Sequence, residues 1–278
     1  MNILLTLFCA AWTYNYRERT IVSLSQPKFL YYLCCGCFIS TMSSVAPLLG
    51  SSDLSCQLMV WLYGCGFFIT TATLYFKMQQ MNKMIENSIA TRRKKARSGW
   101  FKVFNSVVVV MASGEFAILA LWSVVAPLQY KRRCVTYEKG GVWHGACRES
   151  VGKCRTTHGV VFVAVLSVYH VCCVLTGMYM CYTVRNLPSI MAEGKWVFTG
   201  FYSQLQVFVT AVPVLIMVKE DYLSFTILKS LVICIGDITT LAMVFVPKML
   251  LVYKYYDFDV HAVASFFFFF FFLKKYLY

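Results

Sequence analysis

Two carboxylates sit where almost nothing else is polar: Glu115 in VVVVMASGEFAILALW and Asp237 in VICIGDITTLAMVF. A carboxylate inside an apolar run is expensive to bury and by default marks a polar cavity, an ion path or a proton relay. At helical spacing Asp237, Thr240 and Val244 share one face, which sets a polar patch toward the interior of a bundle. A multi-pass transporter or channel using Glu115 and Asp237 is the alternative they raise, although two acids on well-separated helices do not make a transport site. Neither an inverted repeat nor a pair of broken helices accompanies them, however. Packing, or contact with buried water, is the competing reading.

The cationic residues raise different chemistry. Pro247 and Lys248 stand side by side after a long apolar run. An ammonium at the centre of a bilayer costs about 2.5–3.5 kcal/mol, so Lys248 is expected to reach water or head groups at a helix mouth. Pro247 removes one backbone donor there. Arg92, Arg93, Lys94, Lys95 and Arg97 crowd one short stretch, and a juxtamembrane cluster of this kind binds anionic lipid at about 1 kcal/mol per charge. Lys229 and Lys248 fall near opposite ends of their segment, so neither suits a retinal Schiff base. A nucleotide loop, a metal-ligand spacing and a nucleophile elbow are all missing. The expectation is therefore no enzyme, no cofactor and no metal.

Of the thirteen cysteines, most lie inside apolar runs, where a thiol behaves as a small apolar filler. Cys56, Cys134, Cys147 and Cys154 instead fall in the polar gaps. Cys134 and Cys147 either pair with one another there or stay free.

The elements that carry these residues follow from composition. The 278 residues are 59% hydrophobic and 14% charged, against about 25% charged for a soluble domain. That shortage of charged surface predicts an integral membrane protein. The net charge of +14 does not point to nucleic acid, because the lysines and arginines lie between apolar segments. Six stretches near 29–49, 57–76, 103–128, 159–182, 197–218 and 223–247 are long enough to span as helices, which takes about 20 residues. ILLTLFCAAWTY, near 3–14, is too short to span and lacks the basic start of a signal peptide. It is expected to be the end of a truncated first helix, which makes the fold an all-α seven-transmembrane bundle over 1–258.

The connections after helices 1, 3 and 5, with the tail, hold 17 lysines and arginines; the other three hold 8. The first set is expected in the cytoplasm and the N-terminus outside. Residues 259–278 include seven consecutive phenylalanines (266–272) and are expected to be a gene-model artefact rather than part of the fold.

Read in order, several segments resemble the family C G-protein-coupled receptors, the metabotropic GABA receptor branch in particular. FVPK (245–248), with Phe245, Pro247 and Lys248, resembles the close of that family's seventh helix. CQLMVWLYGCGFFITTATLYFKMQQMNKM (56–84) is similar to its third helix, and LWSVVAPLQY (121–130) to the end of its fourth. KCRTTHGVVFVAVLSVYHVCCVLTGMYMCYTVRNL (153–187) and TAVPVLIMV (210–218) resemble its fifth and sixth helices.

The resemblance implies a disulfide between Cys56 and Cys154, with a pair of free thiols as the alternative. It also implies an ionic contact between Lys77 and Glu193 that holds an inactive state, against two unrelated interfacial charges. The loop with Arg92 to Arg97 would then help engage a heterotrimeric G protein. A receptor dimer partner, membrane lipids and a plasma-membrane location are implied, and no nucleic acid. The family's bilobed extracellular domain and the branch's dimerising cytoplasmic helix have no counterpart in these residues, so an incomplete gene model is expected.

Overall fold

Backbone that meets hydrocarbon must satisfy its own N–H and C=O groups, and within a single pass only a helix does so. The computed structural model describes residues 2–19, 22–23, 26–49, 52–89, 97–137, 147–156, 158–184, 191–218 and 222–255. Seven long helices follow in order among them: α1 (Asn2–Tyr16), α2 (Pro27–Leu49), α3 (Asp53–Ile89), α4 (Arg97–Val125), α5 (Gly159–Val184), α6 (Met191–Met217) and α7 (Tyr222–Tyr255). Six of these, α2 to α7, are long and apolar enough to cross a membrane, whereas α1 has only 15 residues.

Succession builds the bundle. Each helix packs on the next, and α7 returns against α1 and α2. The third helix touches α2, α4, α5 and α6, so it occupies the centre. Where α2 meets α3, small residues allow the backbones to approach closely, the usual device for helices that gain no hydrophobic drive from lipid. A Cβ on Gly66 would lie 2.5 Å from the backbone nitrogen of Ser40, and one on Gly36 would lie 2.7 Å from the Thr70 methyl. The Ser40 backbone cannot yield as a side-chain tip would. Gly66→Ala is therefore expected to destabilise by about 1–3 kcal/mol, read as an earlier unfolding midpoint of the purified protein.

The helices outrun the expected spans. At one end of the bundle α3 continues past 76 to Ile89 and α7 past 247 to Tyr255, while α4 starts at Arg97 and α6 at Met191. Charge ends a span because it must leave hydrocarbon, but lysine, glutamine and methionine remain good helix formers in water. Pro247 consequently lies inside α7 rather than at its last turn.

Between α4 and α5 the chain forms an antiparallel hairpin of β1 (Gln129–Tyr137) and β2 (Cys147–Arg155). Residues 259–278, with the phenylalanine run, lie outside the described residues, as do Arg92, Arg93, Lys94 and Lys95.

Candidate functional site

The hairpin end of the bundle is built around the first turns of α3. Asp53 in its first turn accepts a hydrogen bond from the Tyr130 backbone N–H of β1 at 2.6 Å. One turn further, Cys56 is joined by a disulfide to Cys154 of β2, with the Cα atoms 5.7 Å apart. The Thr156 hydroxyl donates to the Ala126 carbonyl at 2.7 Å, which ties the far side of the hairpin to the end of α4. Beneath lies an apolar cluster in which Trp122 of α4 stacks on Phe162 of α5, with Val60, Leu119 and Leu166 around them.

The strand register sets Cys134 opposite Ser150 and Cys147 opposite Tyr137. The side chains of Cys134 and Cys147 themselves lie outside the described residues.

In the middle of the bundle the two intramembrane acids have separate partners. Glu115 of α4 and His170 of α5 are both 1% exposed, and His170 Nε2 stands 3.0 and 3.2 Å from the two carboxylate oxygens. The imidazole lies flat against Phe67 of α3, ring centroids 3.8 Å apart. Gly64 on the same helix leaves room for the carboxylate, since a Cβ there would fall 2.6 Å from Oε1. Asp237 of α7 instead accepts from the Thr41 hydroxyl of α2 at 3.0 Å. Thr240 does share its polar face, and takes the amide of Gln204 from α6 at 3.5 Å.

Each acid is thus enclosed by its own helix pair, α4–α5 or α2–α7, and the two do not form a joint coordination site. His170 was the residue to notice in the sequence, a lone histidine within an apolar helix at a depth able to match Glu115.

The opposite end is closely packed. Tyr75 of α3 donates to the Cys173 carbonyl of α5 at 2.8 Å and meets the Phe201 ring of α6 edge-on. Phe245 of α7 is 1% exposed and packs edge-on against Trp12 of α1. Pro247 is buried beside it. Lys77 and Lys248 are only 9% and 8% exposed, so both ammonium groups are enclosed by the bundle rather than extended into solvent. For Lys248, expected to reach water or head groups, the position is buried and α7 continues two turns beyond it.

Lys77 and Glu193 belong to elements that meet. Gly194, next to Glu193 at the start of α6, faces Met81, one turn beyond Lys77 on α3, with a Cβ on the glycine 3.9 Å from the methionine methyl. The Glu193 side chain itself lies outside the described residues, as does that of Arg97.

Six helices long and apolar enough to span, a shorter one completing the ring and a hairpin tied across one end define a multi-pass membrane bundle of seven segments among the described residues. The chain belongs to the family C seven-transmembrane receptors: the family described as "7 transmembrane sweet-taste receptor of 3 GCPR" matches residues 1–248. That is a receptor family and not an enzyme family.

Among the relatives, metabotropic glutamate receptor-like protein P of Dictyostelium discoideum is 19% identical over 237 residues, 84% of this chain and 16% of its own length. Gamma-aminobutyric acid type B receptor subunit 2 of Caenorhabditis elegans is 22% identical over 260 residues, 90% of this chain and 30% of its own length. Metabotropic glutamate receptor-like protein R of Dictyostelium discoideum is 20% identical and covers 89% of this chain. The chain spans less than a third of the length of these relatives.

Proposed function

We propose that this chain is the membrane transducer of a metabotropic GABA receptor-like protein, coupling an extracellular signal to a heterotrimeric G protein. The observation that carries the reading is the family match across residues 1–248, which takes in all seven helices up to Lys248. In this reading the N-terminus and the hairpin face outward, the extended ends of α3, α4, α6 and α7 face the cytoplasm of the plasma membrane, and a dimer partner completes the receptor. Residues 1–258 form the transducing domain. Signal is a population shift: a ligand-driven change in the dimer favours one of two helix arrangements by its differential affinity for them.

Lys77 and Glu193 would hold the inactive arrangement at the α3–α6 contact, with FVPK (Phe245, Pro247, Lys248) anchoring α7 beside it. Arg92, Arg93, Lys94, Lys95 and Arg97 would meet the G protein or anionic head groups. The test is guanine-nucleotide exchange in membranes expressing the chain with G protein. Alanine at the five basic positions is expected to remove chain-dependent exchange while surface expression persists; unchanged exchange would sink the coupling role of that loop. Lys77→Ala is expected to raise basal exchange by about fivefold or more, since Lys77 is buried and breaking a buried pair costs more than the roughly 1 kcal/mol of an exposed one. Glu193→Ala should match it, and the double variant should add nothing further.

The transporter reading draws no support from the geometry, because Glu115 and Asp237 are bonded to different partners on different helices.

A further inference from the structure

Asp237 is a buried carboxylate with an incomplete set of partners. It is 8% exposed, in the middle of α7. Its bonded neighbours among the described residues are the hydroxyls of Thr41 and Ser40 on α2, with no lysine, arginine or histidine. Among the described residues the titratable groups within electrostatic range are Cys37 of α2, Tyr63 of α3 and Cys234 of α7, none of them cationic. A buried ionised carboxylate without a cationic partner is strongly disfavoured, so it takes up a proton or a metal cation.

The surrounding oxygens favour the cation. Thr41 has one hydroxyl proton and two acceptors in reach, Asp237 Oδ2 at 3.0 Å and the Cys37 carbonyl at 2.8 Å. When it serves the carbonyl, two acceptor oxygens face each other with nothing between them. The Thr240 hydroxyl, one turn along the same face of α7, donates to the Gly236 carbonyl at 2.8 Å, so it accepts from the Gln204 amide nitrogen. That fixes the orientation of the amide. Gln204 is 7% exposed, and its Oε1 atom is buried without a hydrogen-bond partner.

We propose that Asp237, with the oxygens of Ser40, Thr41, Thr240 and Gln204, binds one sodium ion that ties α2, α6 and α7 together in the middle of the bundle. One carboxylate balances one positive charge. Hydroxyl and carbonyl oxygens are the ligands a hard cation takes, whereas a divalent ion is usually held by more than one carboxylate. The inference concerns the bundle alone and stands whether or not the chain couples to a G protein.

The test is equilibrium binding of radioactive sodium to the full chain in nanodiscs of neutral lipid. Thermal unfolding in sodium chloride would be compared with N-methyl-D-glucamine chloride at matched ionic strength. One saturable sodium per chain is expected, with a melting temperature that rises with sodium and saturates. Asp237→Asn is expected to abolish both, and Thr41→Val and Gln204→Leu each to weaken apparent affinity about tenfold. Absence of saturable binding, or binding that survives Asp237→Asn, overturns the proposal. So does a melting temperature that follows pH but ignores sodium, since a proton alone would then neutralise the acid. If Asp237→Asn does not fold, sodium affinity unchanged in both Thr41→Val and Gln204→Leu overturns it equally.

Discussion

Replacing Cys56 by alanine is expected to lower the stability of the bundle by up to about 4–5 kcal/mol, the loop-closure value for a ring of roughly 100 residues. The two cysteines are 98 residues apart, and the ring they close contains most of α3, all of α4 and the hairpin. That figure is an upper bound here, because helices that stay in the membrane after unfolding already restrict the ring. The other ties across the same seam are weaker. The Asp53–Tyr130 and Thr156–Ala126 hydrogen bonds contribute about 1 kcal/mol each, so they cannot hold the hairpin as firmly as the covalent link.

The diagnostic is a comparison of Cys56→Ala, Cys154→Ala and the double variant by thermal unfolding of purified protein. All three should lose about the same amount, since each removes the same bond, and a reductant should shift the parent protein to their level. Losses that add in the double variant would mean the thiols matter for packing rather than for the link.

The family resemblance named Cys56 and Cys154, and the fold shows why the pairing works. Asp53 and Cys56 lie one turn apart on α3, and both reach the hairpin at its Tyr130–Cys154 rung. The hairpin itself was not legible. KRRCVTY and CRESVGK each carry charge on three of seven positions, so they lack the apolar alternation that marks a half-buried strand.

Span positions could be read because hydrocarbon imposes one rule on every residue it meets, but helix ends could not. Hydropathy stops at Phe76, whereas α3 continues for more than three turns through Lys77, Gln79 and Met81. Pro247 looked like a terminator for the same reason. In the fold it is an interior residue of α7, tolerated because a packed bundle supplies other partners for the carbonyl it frees. Tertiary pairing left the least trace. Glu115 was visible as an unusual acid, but its partner lies 55 residues away on the next helix, and no local spacing links them.

That pair supports the other large prediction. Glu115 and His170 face one another across α4 and α5, with both carboxylate oxygens within 3.2 Å of the same imidazole nitrogen. Neither group can turn to water, since both are 1% exposed. Removing one partner leaves the other buried and unpaired, which costs about 3–5 kcal/mol. His170→Ala is expected to be the worst single change, because it strands the acid and also removes the ring stacked on Phe67. Glu115→Gln should cost less, as the amide keeps the shape and one hydrogen bond.

Replacing both groups reverses the sign of the argument. Glu115→Leu with His170→Phe removes the desolvated pair, restores an aromatic face to Phe67 and is expected to recover much of the loss of either single variant. A double-mutant cycle on unfolding midpoints reads the coupling directly. Strong non-additivity is expected, with the double variant more stable than His170→Phe alone. If the two losses simply add, the pair is not a coupled unit, and the stability attributed to it must come from packing around α3.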